Sequence, residues 1–105
     1  MRVVILNAAH ADVNALRGYI CKNFSRRVWE NTYSKLKTTI RNLVSFPYLG
    51  AIPDELARLH LSQYRQVLSG RNRIIYEVRQ DVVYIHLIVD ARRDMKEILL
   101  QRLLH

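Results

Sequence analysis

The stretch "RNRIIYEVRQDVVYIHLIV", residues 71–89, indicates the architecture most clearly. Ile74, Tyr76 and Val78 alternate with a mixed and largely charged set of residues, a period of two that predicts a β-strand with one apolar face. The run that follows Asp81 is apolar nearly throughout, which predicts a strand at the centre of a sheet. Residues 64–70 form a further β-rich run that ends at Gly70. Residues 64–89 therefore predict a meander of three strands.

The amino-terminal half predicts one strand and two helices. Residues 2–6 are apolar and rich in β-branched side chains, as expected for a strand buried on both faces. A helix should begin at Asn7 or His10, with Asp12 in its first turn, where a carboxylate meets the positive end of the helix dipole. Ser25 is a suitable N-cap for a second helix. Its apolar stripe is Trp29, Tyr33, Leu36, Ile40 and Leu43. Two helices joined so closely are expected to pack as an antiparallel hairpin.

The rest of the chain predicts a long connection and a final helix. Residues 46–63 contain both prolines, so we expect an irregular connection with a short helical turn at residues 54–59. Residues 94–104 predict a helix whose apolar residues cover more than the roughly 100° needed for docking, which leaves part of it for a partner. The predicted order is β-α-α-β-β-β-α in a single domain, residues 1–105.

Charge and composition restrict the class of protein. The chain has 17 Lys and Arg against 9 Asp and Glu, a net charge of +8, which favours nucleic acids, acidic proteins or anionic lipid as partners. No apolar run reaches the roughly 18 residues of a membrane span and no signal peptide is evident, so we expect a cytoplasmic protein. Cys21 is the sole cysteine. His10, His60, His86 and His105 lack metal-ligand spacing, so neither a metal site nor a cofactor is expected.

Arginines supply the main candidate site. Arg65 and Arg73 flank one hairpin, Arg79 lies further along its second strand, and Arg92 and Arg93 follow the last strand. The planar guanidinium binds phosphate or carboxylate through two hydrogen bonds, so convergence of several on one face would form an anion site. A solvated basic face is an equally good interpretation of the same residues.

Aromatic and histidine side chains in the strands have two interpretations as well. Tyr76 is expected in the core, because it shares its face with apolar neighbours, rather than stacked on a nucleic-acid base. Tyr84 and His86 are expected to share a face with Asp90. For His86, a core histidine with one hydrogen bond is favoured over a general base.

The segments "QYRQVLSGRNRIIYEV" and "VYIHLIVDARRDM", residues 63–78 and 83–95, resemble the RelE/ParE superfamily of bacterial toxin-antitoxin toxins. The resemblance covers almost the whole chain, because the order of the predicted elements matches as well. It implies an α+β fold in which the helical hairpin packs on a twisted, mainly antiparallel four-stranded sheet.

The superfamily divides by activity. RelE-like members cut messenger RNA on the ribosome, whereas ParE-like members inhibit DNA gyrase by binding. For the ribonuclease alternative the candidate residues are Arg65, Arg73, His86 and Arg92, since RNA cleavage needs a cation and proton-transfer groups. Many superfamily sequences read His-x-Arg-Arg where this one has "DARR", residues 90–93. An aspartate beside arginines stays ionised and is a weak proton donor, which favours the ParE branch with no catalytic residue.

The ParE resemblance implies two protein partners. A ParD-like antitoxin with a flexible acidic tail would neutralise the toxin, in a hetero-oligomer, and the gyrase A subunit would be the target. Expected antitoxin contacts are Arg26, Arg27, Arg41, Arg65, Arg73 and Arg79. Expected target contacts are Arg92, Arg93, Met95, Ile98, Leu99 and Arg102. A non-toxic basic module that binds nucleic acid remains the third alternative.

Overall fold

The chain folds around a four-stranded mixed sheet. A computed structural model describes residues 1–103. The elements are β1 (Arg2–Ile5), α1 (Asn7–Asn23), α2 (Arg26–Ser45), α3 (Asp54–Ala57), β2 (Tyr64–Ser69), β3 (Asn72–Arg79), β4 (Val82–Asp90) and α4 (Met95–Leu103). The strand order is β1-β4-β3-β2, with β1 parallel to β4 and the meander antiparallel. The predicted α+β fold and element order are confirmed. The predicted last helix included Leu104, which lies outside the described residues.

Strand positions in the sheet follow the predictions in part. The apolar strand β4 lies between β1 and β3, which confirms its central place. The expectation that β1 is buried on both faces is wrong, because Val3, Val4 and Ile5 are only half-buried. The strand lies at the edge of the sheet. The β2–β3 turn holds Gly70 at φ +58°, a left-handed conformation that glycine adopts without a steric penalty.

A β-bulge at His86 changes the direction of the side chains along β4. The register shifts by one residue between two pairs, Ile75 with Leu87 and Tyr76 with Ile85. His86 is therefore left without a partner on β3, and the alternation of faces reverses beyond it. The expectation that Tyr84 and His86 share a face with Asp90 is wrong for this reason, since Asp90 lies on the hairpin side of the sheet and Tyr84 on the other.

The sheet carries an apolar cluster on each face. The cluster under the helical hairpin consists of Ala9, Leu36, Leu43, Ile74, Tyr76, Val83, Ile85 and Ile88. The cluster on the opposite face, under α3 and α4, consists of Leu56, Tyr64, Ile75, Leu87, Val89, Met95 and Leu99. Each fully buried large apolar side chain contributes about 1.5–3 kcal/mol to folding. The two layers of helix on the sheet thus account for the burial of most of the apolar sequence.

Helix α2 confirms its predicted cap and corrects its predicted stripe. The hydroxyl oxygen of Ser25 accepts a hydrogen bond from the Val28 amide at 3.1 Å. Tyr33 is 40% exposed and is not part of the core. At 100° per residue it lies about 60° around the helix from Leu36, at the edge of the stripe. Its ring instead stacks on Trp29 with a centroid separation of 5.3 Å.

Candidate functional site

A cleft of about 780 Å³ lies between the helical hairpin and the ends of the three meander strands. Its hairpin wall is formed by Leu16, Tyr19, Ile20, Phe24 and Val28. Tyr19, Phe24 and Val28 are exposed, so this wall presents apolar surface to solvent. Exposed apolar surface bordered by polar groups is typical of a site that binds another protein or a ligand.

The rim of the cleft is cationic. Lys35, Arg71 and Arg93 line it, and none of the three forms an ion pair within residues 1–103. The β2–β3 turn positions Arg71 and the segment after β4 positions Arg93. The cleft therefore combines an apolar wall with positive charge available to an anion.

The predicted pairing of Asp90 with a neighbouring arginine is confirmed. Arg92 donates to Asp90 from its backbone amide at 2.8 Å and from its guanidinium Nε and Nη2 at 3.1 and 3.0 Å. The side-chain hydrogen bond from Arg92 lowers the pKa of Asp90 below its ordinary value. Asp90 is therefore ionised near neutral pH and supplies no proton there.

Arg73 has an internal structural role, which contradicts its expected place on a free cationic surface. Its guanidinium donates to Gln66 Oε1 at 2.7 Å and to both carboxylate oxygens of Glu55 at 3.2 and 3.4 Å. The side chain is 11% exposed. The hydrogen bond from Arg73 in turn lowers the pKa of Glu55. Arg73 therefore ties β3 to α3.

Arg65 fastens the long connection to the sheet. It donates to the carbonyl oxygen of Gly50 at 2.8 Å, and its guanidinium lies over the Tyr48 ring at 5.1 Å. The Gly50 amide donates to the hydroxyl of Tyr76 at 2.9 Å. Tyr76 is fully buried, as predicted, and burial raises its pKa. The connection is thus held at one glycine by two side chains of the sheet.

His86 has a hydrogen-bond partner within the fold, as predicted, although it belongs to neither apolar cluster. Its Nε2 lies 3.0 Å from Glu77 Oε1, and both side chains are largely buried. Arg79 Nε lies 3.4 Å from the same carboxylate oxygen, and the Tyr64 ring meets the imidazole edge-on at 5.1 Å. Burial raises the pKa of Tyr64. These groups occupy the sheet face that lies opposite the hairpin.

A clamp between α1 and α4 was not predicted. Arg102 donates to both oxygens of Asp12 at 2.9 and 3.0 Å and to the carbonyl oxygen of His86 at 2.9 Å. Asp12 also accepts the Ile88 amide at 3.0 Å. Helix α1 begins at Asn7 and has no acidic residue in its first turn, so the predicted dipole role of Asp12 is wrong. The two residues are 90 positions apart, and no local spacing could have indicated their contact.

The expected target contacts on α4 are corrected at three positions. Met95 and Leu99 are 5% and 1% exposed, because they pack into the cluster opposite the hairpin. Arg102 is held by the clamp described above. Ile98 is half-buried, whereas Arg92 and Arg93 are exposed. Of the expected antitoxin contacts, the exposed ones are Arg26, Arg27, Arg41 and Arg79.

The four residues of the ribonuclease alternative do not converge, because Arg65 lies beside Tyr76 on the hairpin side of the sheet and Arg73 beside Val89 on the other side. Each one has a different partner: Arg65 pairs with Gly50, Arg73 with Glu55, His86 with Glu77 and Arg92 with Asp90. No group of three His, Cys, Asp or Glu residues within residues 1–103 is placed to hold a metal ion. No helix in that same part of the chain is long and apolar enough to cross a membrane.

Comparison with known proteins gives the family. A search of curated proteins found no match. The family model described as "ParE toxin of type II toxin-antitoxin system, parDE" matches residues 3–95, which is most of the chain. The family implies an antitoxin as the partner of this chain. The chain therefore belongs to the ParE toxin family and is the toxin of a type II toxin-antitoxin pair.

Proposed function

We propose that this toxin acts by binding the gyrase A subunit and that a cognate ParD-like antitoxin neutralises it. The observation that carries this proposal is the separate engagement of Arg65, Arg73, His86 and Arg92. Family membership supports a toxin, and the engaged side chains favour inhibition by contact over cleavage of RNA.

RNA cleavage by attack of a 2′-hydroxyl needs a base, an acid and a cation around one phosphate. The Nε2 atom of His86 is directed at Glu77, and the imidazole is largely buried. Asp90 is ionised, and all three nitrogens of the Arg73 guanidinium already have acceptors. A phosphate would thus meet cations on the rim of the cleft but no free proton-transfer pair.

Neutralisation is supported by the charge and shape of the surface. The net charge of +8 complements an acidic tail, and a disordered tail can wrap a large surface at low affinity per unit area. The exposed arginines of α2, Arg26, Arg27 and Arg41, lie on the hairpin that also walls the cleft. We infer that the tail covers the outer face of α2 and enters the cleft.

The gyrase contact is proposed at the segment between β4 and α4. Arg92 and Arg93 are exposed there, and Ile98 provides a half-buried apolar neighbour on α4. Met95 and Leu99 serve this surface indirectly, because their burial fixes α4 against the sheet.

The test is a gyrase supercoiling assay with purified toxin, run beside a ribosome-dependent messenger RNA cleavage assay. We expect loss of supercoiling, accumulation of cleaved DNA and intact transcripts. Arg93→Ala should abolish inhibition, whereas Arg17→Ala, an equal charge change on the exposed face of α1, should leave it intact.

Two results would contradict the proposal in different ways. Transcripts cut on the ribosome while gyrase works normally would identify a RelE-like activity. DNA binding that weakens steeply with salt, without inhibition of gyrase or cleavage of RNA, would indicate a basic nucleic-acid-binding module.

A further inference from the structure

A buried polar side chain at one end of the cleft has no partner. The hydroxyl oxygen of Ser69 is buried without any hydrogen bond within residues 1–103, and Ser69 is 6% exposed. Asn72, opposite Ser69 in the sheet, is also 6% exposed. Both residues line the cleft. Buried polar groups in folded proteins are nearly always hydrogen-bonded, so an unpaired hydroxyl facing a cleft indicates that a ligand completes it.

The charge around this end of the cleft favours a negatively charged ligand. Arg71 and Arg93 line the same end, and Lys35 lines the cleft from α2, all without an ion pair in the described residues. The two carboxylates that line the cleft, Asp12 and Asp90, are each bound by an arginine. The groups left free are therefore donors and cations, which match a carboxylate or phosphate oxygen.

The apolar wall of the cleft indicates the chemistry of the rest of the ligand. Tyr19 and Phe24 meet edge-on, with centroids 6.2 Å apart and an interplanar angle of 65°, so they offer no parallel pair of rings to enclose a nucleotide base. Leu16, Ile20 and Val28 complete the wall with aliphatic surface. Aliphatic surface beside an anion site fits a protein segment better than a nucleotide, which binds by stacking on aromatic faces.

We propose that the cleft binds a protein segment that presents a carboxylate to Ser69, Asn72 and Arg71 and a bulky apolar side chain to the wall around Phe24 and Val28. This proposal rests on the proposed function, because the segment would belong to the acidic antitoxin. It specifies which antitoxin segment the cleft recognises. The cleft binds a segment with an acidic residue close to a large apolar residue, and it does not bind a segment that is only acidic.

The test uses a minimal probe that carries both features. Hydrocinnamate has an apolar ring and a carboxylate, and hydrocinnamyl alcohol has the same body without the charge. In an NMR titration of the intact chain, hydrocinnamate should shift the Asn72 side-chain amide and the backbone amides of Ser69 and Arg71. The alcohol should bind about tenfold more weakly, the loss expected for one charge-assisted hydrogen bond.

Variants separate the site from general charge attraction. Ser69→Ala removes a hydroxyl that has no partner in the free protein, so the fold should be unchanged while hydrocinnamate binding weakens severalfold. Arg93→Ala, at an exposed position, should weaken it as well. Arg17→Ala removes the same charge from the exposed surface of α1, outside the cleft, and should leave binding unchanged.

Three outcomes would overturn the proposal. If the chain bound the acid and the alcohol equally, or if hydrocinnamate bound wild type and Ser69→Ala equally, the polar end of the cleft would not contribute to binding. Tighter binding of adenosine monophosphate at the same residues would show a phosphate ligand instead. Gyrase inhibition is measured separately on the wild-type chain: a toxin that binds the probe as expected but never inhibits gyrase refutes the proposed target and supports the cleft proposal.

Discussion

The clamp between Asp12 and Arg102 predicts a strong energetic link between the first and last helices. The Arg102 and Asp12 side chains are 26% and 15% exposed, so the pair is partly shielded from water. Asp12→Ala would leave both the guanidinium and the Ile88 amide, 3.0 Å from the carboxylate, without that acceptor. We expect a loss of about 2–3 kcal/mol in the free energy of unfolding, below the cost of breaking a fully buried pair because water reaches this one.

Substitution of Arg102, the other member of the pair, should lower the free energy of unfolding by less. Arg102→Met keeps the aliphatic stem, and Asp12 keeps its bond to the Ile88 amide, so we expect about 1–1.5 kcal/mol. The double variant should show a coupling of about 1 kcal/mol. Urea unfolding followed by the fluorescence of Trp29, buried in the hairpin, measures all three.

A surface pair provides the control for this cycle. Arg26 and Glu30 are 3.5 Å apart on α2 and their side chains are largely exposed, so Arg26→Met should cost less than about 0.5 kcal/mol. The reasoning is refuted if Asp12→Ala costs no more than Arg26→Met, or if the Asp12 and Arg102 effects simply add.

Three further predictions concern the packing of the connection and the titration of Tyr76 and Glu55. Gly50→Ala would place a Cβ 2.4 Å from a backbone oxygen of β2, so we expect a loss of about 2–3 kcal/mol in urea unfolding. Gly18→Ala is its control, because nothing lies within 4 Å of that position and the helix should gain about 0.5–1 kcal/mol. Burial raises the pKa of Tyr76 above its ordinary 10.0, so this residue's contribution to stability is complete below that pH and is lost as the pH rises through the folded value. A late-titrating phenol in ultraviolet absorbance would confirm it, and titration together with the exposed tyrosines would contradict it. The hydrogen bond from Arg73 lowers the pKa of Glu55 below 4.5, so stability is present above that pH and falls as the pH drops through the folded value. Glu55→Gln should flatten this acid branch in urea unfolding at a series of pH values, and an unchanged slope would exclude the pair as its source.

Local patterns were sufficient to predict the elements of this fold. The alternation around Tyr76 indicated the central strands, and the hydroxyl of Ser25 caps α2 as its residue type predicts. The partial exposure of β1 was missed, because an apolar run looks the same whether one or both faces of the strand are covered.

The candidate site was harder to predict, because its residues meet only after folding. Arg73 and Arg102 looked like free cations in the sequence, and their acceptors Glu55 and Asp12 lie 18 and 90 positions away. The cleft was missed altogether, since Ser69 looks like an ordinary strand residue until its hydroxyl is found without a partner. Asp90 was predictable, because its arginine is two residues away.

The extra residue in β4 has a consequence for how this family of sequences can vary. Deletion of His86 would leave Ile85 opposite Tyr76 and Leu87 opposite Ile75, so the strand would become a regular pleat with its downstream pairing intact. Ile88 would stay on the hairpin side and Leu87 on the other, and the contacts of the imidazole with Glu77 and Tyr64 would be lost. The strand can therefore lose one residue at this point without exchanging its two apolar faces.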